Sequence, residues 1–207
     1  MIDLTSPSGS VRLAPTDFDA LVEVTRDRSG RDSVIAGPDM AAALADDRLG
    51  AMLNVVVDPA IELRLVVAGP ETRVEHRGWL AGDALVLLLW VRPELRQLMS
   101  TDRAFLTATL VRLTRMRPRH LADRVPADFP AAALDELVST DPRLRALALA
   151  DARADFAWRL DLTSEGGRRT LTAVDGDLGL RLADPDKDRL MPVTNTFAYR
   201  VLSTVLA

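Results

Sequence analysis

The N-terminal part of the chain alternates between short apolar stretches and polar breaks, which predicts one strand followed by two helices. Residues 11–13 suit a short strand, and a helix from about Pro15 has Thr16 as its N-cap. The polar stretch 26–37 predicts a loop, and a second helix is expected over 38–53. The residues expected to face inward are Phe18, Leu21, Val22, Met40, Leu44, Leu49 and Met52.

From Ile61 onward apolar residues recur at every second position, which predicts strands with one buried face. A turn at 69–70 separates a first strand from a second over 72–80, and a turn at 82–83 leads to a third. The third segment, 84–91, is apolar on both faces and is therefore expected in the centre of a sheet.

A helix follows this third strand, and the same order of elements returns near the C-terminus. Residues 100–102 are expected to cap the first helix and residues 194–195 a final one. The spacing from Met99 to Phe105 equals that from Met191 to Phe197. The residues that the two helices are expected to bury are Phe105, Leu106, Leu110, Leu113, Phe197, Val201, Leu202 and Val205.

This order predicts a pseudo-repeat with halves at about 55–117 and 154–207. Each half is too small to cover its own sheet face, so the halves are expected to share one sheet and one core. The stretch 126–150 is expected to form two short connecting helices. With the N-terminal helices, 16–53, the prediction is a single α+β domain, 1–207, whose central twisted sheet is mostly antiparallel and carries helices packed on it.

Composition and charge argue against several classes of partner and of chemistry. The formal net charge of -4 gives no overall attraction to nucleic acid or anionic membranes, so we expect neither as a partner. The N-terminal residues do not form a signal peptide pattern, and the longest apolar run is shorter than a membrane span. We therefore expect a cytoplasmic protein without membrane insertion. The chain has no cysteine, which excludes a disulfide framework and thiolate chemistry.

The carboxylates of segment 184–188 are spaced as in the opening of a calcium loop. The full motif needs glycine and glutamate at later positions, where this chain has Arg189 and Asn195, so a solvated hairpin loop is the better interpretation. The segment 175–177 likewise fits a tight turn. The chain also lacks nucleophile, phosphate-loop and dinucleotide motifs, so we expect no metal, no cofactor and no catalysis.

Histidines and arginines have simple structural interpretations. His76 shares a predicted strand face with Val74 and Leu80, which indicates a partly buried structural side chain. His120 lies among arginines near the end of a predicted helix, where cations interact favourably with the helix dipole. The alternative for these arginines is a basic patch for an acidic partner or nucleic acid. They are Arg112, Arg115, Arg117, Arg119 and Arg124.

The three tryptophans, Trp79, Trp90 and Trp158, all lie on predicted strands, and core packing is the first interpretation for each. Trp79 shares its strand face with charged residues, so the alternative is an exposed indole that is available to a partner. Those charged residues are Arg73, Glu75 and Arg77.

Three segments of the chain carry a family resemblance: VRLAPTDFDAL at 11–21, the Asp58-Pro59 break before the hairpins, and VDGDLG at 174–179. They resemble EspG-type proteins, the cytosolic chaperones of type VII (ESX) secretion systems. The resemblance implies a mixed α/β fold with pseudo-two-fold symmetry and neither cofactor nor catalysis. It also implies that the protein binds the helical tip of a secreted PPE-type substrate, keeps it soluble and delivers it to the export machinery. The stretch 26–58 is shorter than in typical members.

In that family, contacts with the substrate come from the sheet, a hairpin loop and the later helical region. By position, the resemblance implies contacts at 69–73, at Trp79 and in the helices between Phe129 and Leu149, and the arginine cluster adds attraction for an acidic substrate. The candidate partner-binding residues are Gly69, Pro70, Glu71, Thr72, Arg73, Trp79, Arg115, Arg117 and Arg119.

Two alternatives stay open at this point. One is a homodimeric structural or regulatory α+β domain without a role in secretion, which associates through an exposed strand edge or helix. The other is a hydrolase that uses carboxylates such as Asp175 and Asp177. The sequence leaves open whether the protein is a monomer or a homodimer.

Overall fold

The computed structural model describes residues 2–5, 9–27, 38–116 and 125–205. The strands in these residues are β1 (Ile2–Asp3), β2 (Val11–Leu13), β3 (Ile61–Ala68), β4 (Arg73–Ala81), β5 (Ala84–Arg92), β6 (Leu95–Asp102), β7 (Ala127–Asp128), β8 (Phe156–Ser164), β9 (Gly167–Asp175), β10 (Arg181–Asp184) and β11 (Arg189–Pro192). The α-helices are α1 (Pro15–Asp27), α2 (Pro38–Leu44), α3 (Asp47–Val57), α4 (Leu106–Leu113), α5 (Pro142–Asp151) and α6 (Asn195–Val205). Short 3-10 turns cover Arg103–Phe105, Ala131–Ala133, Glu136–Val138 and Pro185–Lys187.

The strands of the described residues form an 11-stranded sheet in the order β1-β2-β6-β5-β4-β3-β8-β9-β10-β11-β7. Several pairs of sequential strands are antiparallel neighbours, as β4 is of β5 and β10 of β11. The sheet carries helices, so the fold is α+β, as the sequence predicts. Both edge strands, β1 and β7, are only 2 residues long. Such short edges limit strand pairing with a second chain.

The chain divides into two compact units. Unit 1 consists of Met1–Leu63, His76–Ala104 and Ser164–Gly166, and unit 2 of Arg64–Glu75, Phe105–Thr163 and Gly167–Ala207. Along the sequence, four strands and a helix, β3 to β6 with α4, recur as β8 to β11 with α6, whereas the sequence predicts three strands before each helix. The pseudo-repeat itself stays a prediction. The single domain, 1–207, stays a prediction.

The core of unit 1 joins apolar side chains of α1, α2 and α3 with those of β2, β4, β5 and β6. The predicted helix over 38–53 is two helices in the structure, because Asp46 starts a new one. Its Oδ1 accepts the backbone N–H of Leu49 at 2.9 Å and caps α3.

Strand β6 is an element that the sequence pattern does not predict. The register between β5 and β6 shifts next to Trp90, and the buried residues of β6, Leu95 and Leu98, are three positions apart. This irregularity removes the alternation that marks a strand. The predicted helix cap at 100–102 is wrong, because all three residues belong to β6. The side chain of Asp102 instead accepts the backbone N–H of Ala104 in the 3-10 turn before α4.

The core of unit 2 lies between β3, β8, β9 and β11 and the connecting segment. Phe129, Leu137 and Leu149 of that segment are buried. The prediction of two short helices is confirmed for α5, whose N-cap is Asp141. The other predicted helix is replaced by two 3-10 turns.

Helices α4 and α6 contact each other within unit 2, and their buried faces differ from the prediction. Phe105 and Phe197 are predicted to face inward but are 60% and 52% exposed. Phe105 precedes α4 in a 3-10 turn, and Phe197 lies in the first turn of α6, whose cap Thr194 accepts its backbone N–H. Leu106, Leu110 and Leu202 are buried, as predicted, together with Ala198, which the prediction leaves out. None of the described helices has both the length and the apolar composition of a membrane span.

Candidate partner-binding site

The loop between β3 and β4 is a tight, exposed turn. The backbone N–H of Gly69 donates to the carbonyl oxygen of Thr72 at 2.8 Å and closes the base of the loop. Pro70, Glu71 and Thr72 are exposed, whereas Gly69 and Arg73 are half-buried. The structure confirms the predicted turn at 69–70. Contact of these residues with a partner stays a prediction.

The buried guanidinium of Arg145 holds this loop against α5. Arg145 is 2% exposed. Its Nε donates to the carbonyl oxygen of Gly69 at 2.7 Å and its Nη2 to that of Pro70 at 3.0 Å. Its Nη1 donates to the carbonyl oxygen of Ser139 at 2.6 Å. The three carbonyl oxygens replace water around a buried charge, so the position of the loop is tied to the connecting segment.

Helix α5 presents two leucines on either side of this anchor in the sequence. Leu144 is 44% and Leu147 64% exposed, and residues three positions apart are neighbours on a helix surface. Exposed aliphatic side chains close together are a means of binding another protein. We call the exposed set the loop–helix surface: Pro70, Glu71, Thr72, Leu144 and Leu147.

Arginines and carboxylates also meet on β3 and β4, beside the loop. Glu75 accepts hydrogen bonds from Nη2 of Arg64 at 2.8 Å and from Nη2 of Arg73 at 3.1 Å. Nε of Arg73 donates to the carbonyl oxygen of Val138 at 3.0 Å. Burial raises the pKa of Glu75, but the hydrogen bonds and charges of Arg64 and Arg73 outweigh burial and hold it below its usual range.

Asp161 on β8 is the centre of a second group, and its side chain is 7% exposed. Its Oδ1 accepts from Nε of Arg159 at 3.2 Å, Nη2 of Arg168 at 3.0 Å and Oγ1 of Thr170 at 2.7 Å. Burial raises the pKa of Asp161, but the hydrogen bonds and arginine charges outweigh it, and the pKa lies below its usual range. Arg159 also pairs with Asp135.

We call the charged residues of these two groups on β3, β4, β8 and β9 the arginine row: Arg64, Arg73, Glu75, Arg159, Asp161 and Arg168. The side chains of Arg64 and Arg168 are 48% and 58% exposed, whereas Arg73 and Arg159 are far less exposed. The sequence pattern does not reveal the row as a site. Alternating polar residues on strands are also typical of a solvated face, and only the strand order brings these residues together.

Trp79 is buried in unit 1. It is 2% exposed, its ring centroid lies 5.6 Å from that of Phe18, and the guanidinium of Arg77 lies 5.0 Å from it. Core packing is therefore confirmed, and the alternative of an exposed indole is wrong. Strand alternation alone did not predict this, because α1 covers the strand face that also carries Arg77.

The predicted arginine cluster falls only partly within the described residues. Arg115 is exposed, has a left-handed φ of 54° and donates its backbone N–H to the carbonyl oxygen of Arg112. It thus lies in the turn that ends α4, in agreement with the helix-end interpretation. Arg117 and Arg119, like His120, lie outside the described residues.

His76 has the structural role that the sequence predicts. It is 6% exposed, and its Nδ1 accepts the backbone N–H of Trp90 at 3.1 Å. The bond joins β4 to β5 through a side chain.

The two acidic segments both form turns, as predicted. Segment 184–188 joins β10 to β11, and Nζ of Lys187 pairs with Asp184 at 3.0 Å. After β9, the backbone N–H of Gly179 donates to the carbonyl oxygen of Gly176 at 2.9 Å and closes a turn. No group of three or more metal-ligating side chains occurs in the described part of the chain.

No protein-family model and no curated protein matches this sequence. Among solved structures, the chain is similar to the type VII secretion system chaperone EspG5 of Mycobacterium tuberculosis, which was solved in complex with the PE25–PPE41 dimer. The match has a TM-score of 0.59, covers 95% of each chain and has 13% sequence identity.

The chain has the fold of EspG5. The sequence-based resemblance to EspG-type proteins is therefore confirmed for the fold. Within this EspG5-like fold, the loop–helix surface and the arginine row both belong to unit 2.

Proposed function

We propose that the chain is a cytoplasmic chaperone of a type VII secretion system that binds the helical end of a PPE-like secreted protein and keeps it soluble. The observation that carries this proposal is the likeness to EspG5 over 95% of both chains. EspG5 was solved with a PE25–PPE41 dimer, so a paired helical export substrate is the partner class to test first.

The loop–helix surface has the properties that such binding needs. Leu144 and Leu147 offer apolar area on a helix, and burying a leucine side chain contributes about 1.5–3 kcal/mol. The neighbouring turn is held by Arg145, so its exposed residues lose little conformational freedom when a partner binds. An apolar helical tip covered in this way no longer exposes its hydrophobic side chains to water.

A binding role also agrees with the charge state of the two carboxylates of the arginine row. Glu75 and Asp161 both have a pKa below the usual range because arginines pair with them. A general acid or base at neutral pH needs a raised pKa in a carboxylate. These two side chains therefore suit a fixed charged surface rather than proton transfer.

Co-expression tests the proposal. The full chain is produced together with paired PE-like and PPE-like proteins encoded in its own genome, and complexes are isolated by size exclusion with light scattering. We expect a stable complex with one such pair and a monomer in its absence. Recovery of general chaperones alone contradicts the proposal. A homodimer of the chain that binds none of the PE-like and PPE-like pairs supports the homodimeric alternative.

Two variants locate the surface. We expect the double substitution Leu144→Ser with Leu147→Ser to weaken the complex at least about tenfold, since exposed anchors of this kind contribute about 1–2 kcal/mol each. Phe197→Ser is the matched control, because Phe197 is 52% exposed on α6. If Phe197→Ser loses binding and the double leucine variant does not, the partner binds at α6 instead of at the loop–helix surface.

A further inference from the structure

We infer that Arg64 and Arg168 form a two-point docking site for two carboxylates on one helix of the partner, about two helical turns apart. The inference rests on the proposed function, and it names the chemistry that the partner surface needs. An acidic helix is the occupant, because the two most exposed groups of the arginine row are both cations.

The strand order sets the distance between the strands that carry the two cations. Arg64 lies on β3 and Arg168 on β9, with β8 between them. Two strand spacings of about 4.8 Å put their strands roughly 10 Å apart. Asp161 on β8 pairs with Arg168 at 3.0 Å. Val66 and Ala68 of β3 pack in one core cluster with Ala157 of β8. Arg64 and Asp161 each lie an even number of positions from these residues on the same strands, so both side chains belong to that face of the sheet.

Each of the two guanidinium groups is held in place and still has donors to offer. Nη2 of Arg64 bonds Glu75, and Nη2 of Arg168 bonds Asp161. A guanidinium carries five N–H donors, so within the described residues most donors of Arg64 and Arg168 are available to a carboxylate. Arginine binds carboxylates through two parallel hydrogen bonds, and a side chain fixed in advance loses less entropy on binding.

The partner that fits is a helix with two acidic side chains seven positions apart. A helix rises 1.5 Å per residue, so such side chains lie on one side and about 10.5 Å apart. The chain as a whole has a formal net charge of -4. The arginine row attracts an acidic helix, whereas the net negative charge of the whole chain does not, which favours binding at the row.

A peptide titration tests the spacing directly. The probe is an alanine-rich helical peptide of about 20 residues with two glutamates seven positions apart, added to the isotope-labelled full chain at low salt. We expect the Nε–H signals of Arg64 and Arg168 to shift together. A peptide with glutamines at these positions is expected to shift neither. Equal shifts with glutamates five positions apart, or with inorganic phosphate, would indicate a general anion site and overturn the inference.

Variants that remove the two arginine charges test the docking site independently of the peptide spacing. We expect Arg64→Gln with Arg168→Gln to weaken peptide binding at least about fivefold and to flatten its dependence on salt. Arg169→Gln is the matched control, because Arg169 is exposed and is adjacent in sequence on the opposite strand face. A loss in the control equal to that in the double variant contradicts the inference.

The two proposals can fail separately. If the wild-type chain recovers a PE-like and PPE-like pair and the double arginine variant binds that pair equally well, the docking site is wrong and the chaperone role stands. If the acidic peptide binds as expected but no helical secreted pair is recovered, the docking site stands and the proposed function is wrong.

Discussion

The guanidinium of Arg145 and the carbonyl oxygen of Gly69 are joined by a 2.7 Å hydrogen bond, although 76 positions separate them in sequence. Arg145 is 2% exposed, so its charge depends on the carbonyl oxygens of the loop and of Ser139. The β3–β4 loop is therefore fixed by α5 as well as by its own backbone hydrogen bond.

Replacing Arg145 by methionine tests this anchor. Arg145→Met keeps an unbranched apolar side chain but removes every donor, so the carbonyl oxygens of Gly69, Pro70 and Ser139 lose this partner. We expect the free energy of unfolding to fall by about 2–3 kcal/mol and the amide of Gly69 to exchange faster. Urea denaturation and hydrogen exchange measure the two effects. Arg143→Met, on an exposed position of the same helix, should change stability by less than about 0.5 kcal/mol. Similar losses in both variants would refute the anchor.

The lowered pKa of Asp161 predicts a pH-dependent contribution to stability. Its folded pKa lies below the ordinary value of 3.8, because arginine and threonine partners outweigh burial. The stabilisation is therefore complete above the ordinary value and is lost as the pH falls through the lower folded pKa.

We expect Asp161→Asn to be less stable than the wild type at neutral pH, and the difference to shrink as the pH falls below 3.8. Urea denaturation at a series of pH values measures it. Asp177→Asn, at an exposed turn position, serves as the control. A stability difference for Asp161→Asn that grows on acidification would contradict the stabilising role of the ionised carboxylate.

The spacing of apolar residues and the turn and capping residues predicted the helices and strands that have a single buried face. Thr194 caps the final helix as its position predicts, and the turns at 69–70 and 82–83 separate the expected strands. The pattern failed where a long-range feature changes it. The register shift next to Trp90 removes the alternation that would indicate β6. Asp46 accepts the backbone N–H of Leu49 and begins a new helix, so one predicted helix is two in the structure.

The candidate site was less accessible to sequence reasoning. The loop at 69–73 is a candidate contact because the family resemblance implies it, and its contact with a partner stays a prediction. The arginine row was not found, since Arg64, Asp161 and Arg168 are far apart in sequence and meet only through the strand order. Arg145 gave no signal either, because an arginine on a short helix is ordinarily exposed, and only the fold surrounds it with backbone carbonyls.

Substitution by alanine is expected to raise the free energy of unfolding at one glycine and to lower it at another. Gly50 lies within α3 with no atom near an added Cβ, so Gly50→Ala is expected to stabilise by about 0.5–1 kcal/mol through helix propensity. A Cβ at Gly176 would lie 2.9 Å from the Cα of Ala154 and from the carbonyl oxygen of Arg153. Backbone atoms cannot move aside easily, so Gly176→Ala is expected to destabilise by about 1–3 kcal/mol. Urea denaturation compares the two, and shifts of the same sign would argue against this role of Gly176.

Substitutions at Trp79 test whether this residue stabilises the core or binds a partner. Its ring packs on Phe18 at 5.6 Å and is almost fully buried, so Trp79→Ala is expected to cost about 3–5 kcal/mol of stability. Trp79→Phe keeps an aromatic contact with Phe18 and should lose less. Because the indole does not reach the surface, a folded Trp79→Phe variant should bind a helical client as tightly as the wild type in the size-exclusion assay. A variant with a normal free energy of unfolding but weakened client binding would instead indicate that Trp79 contacts the partner, as the family resemblance implies.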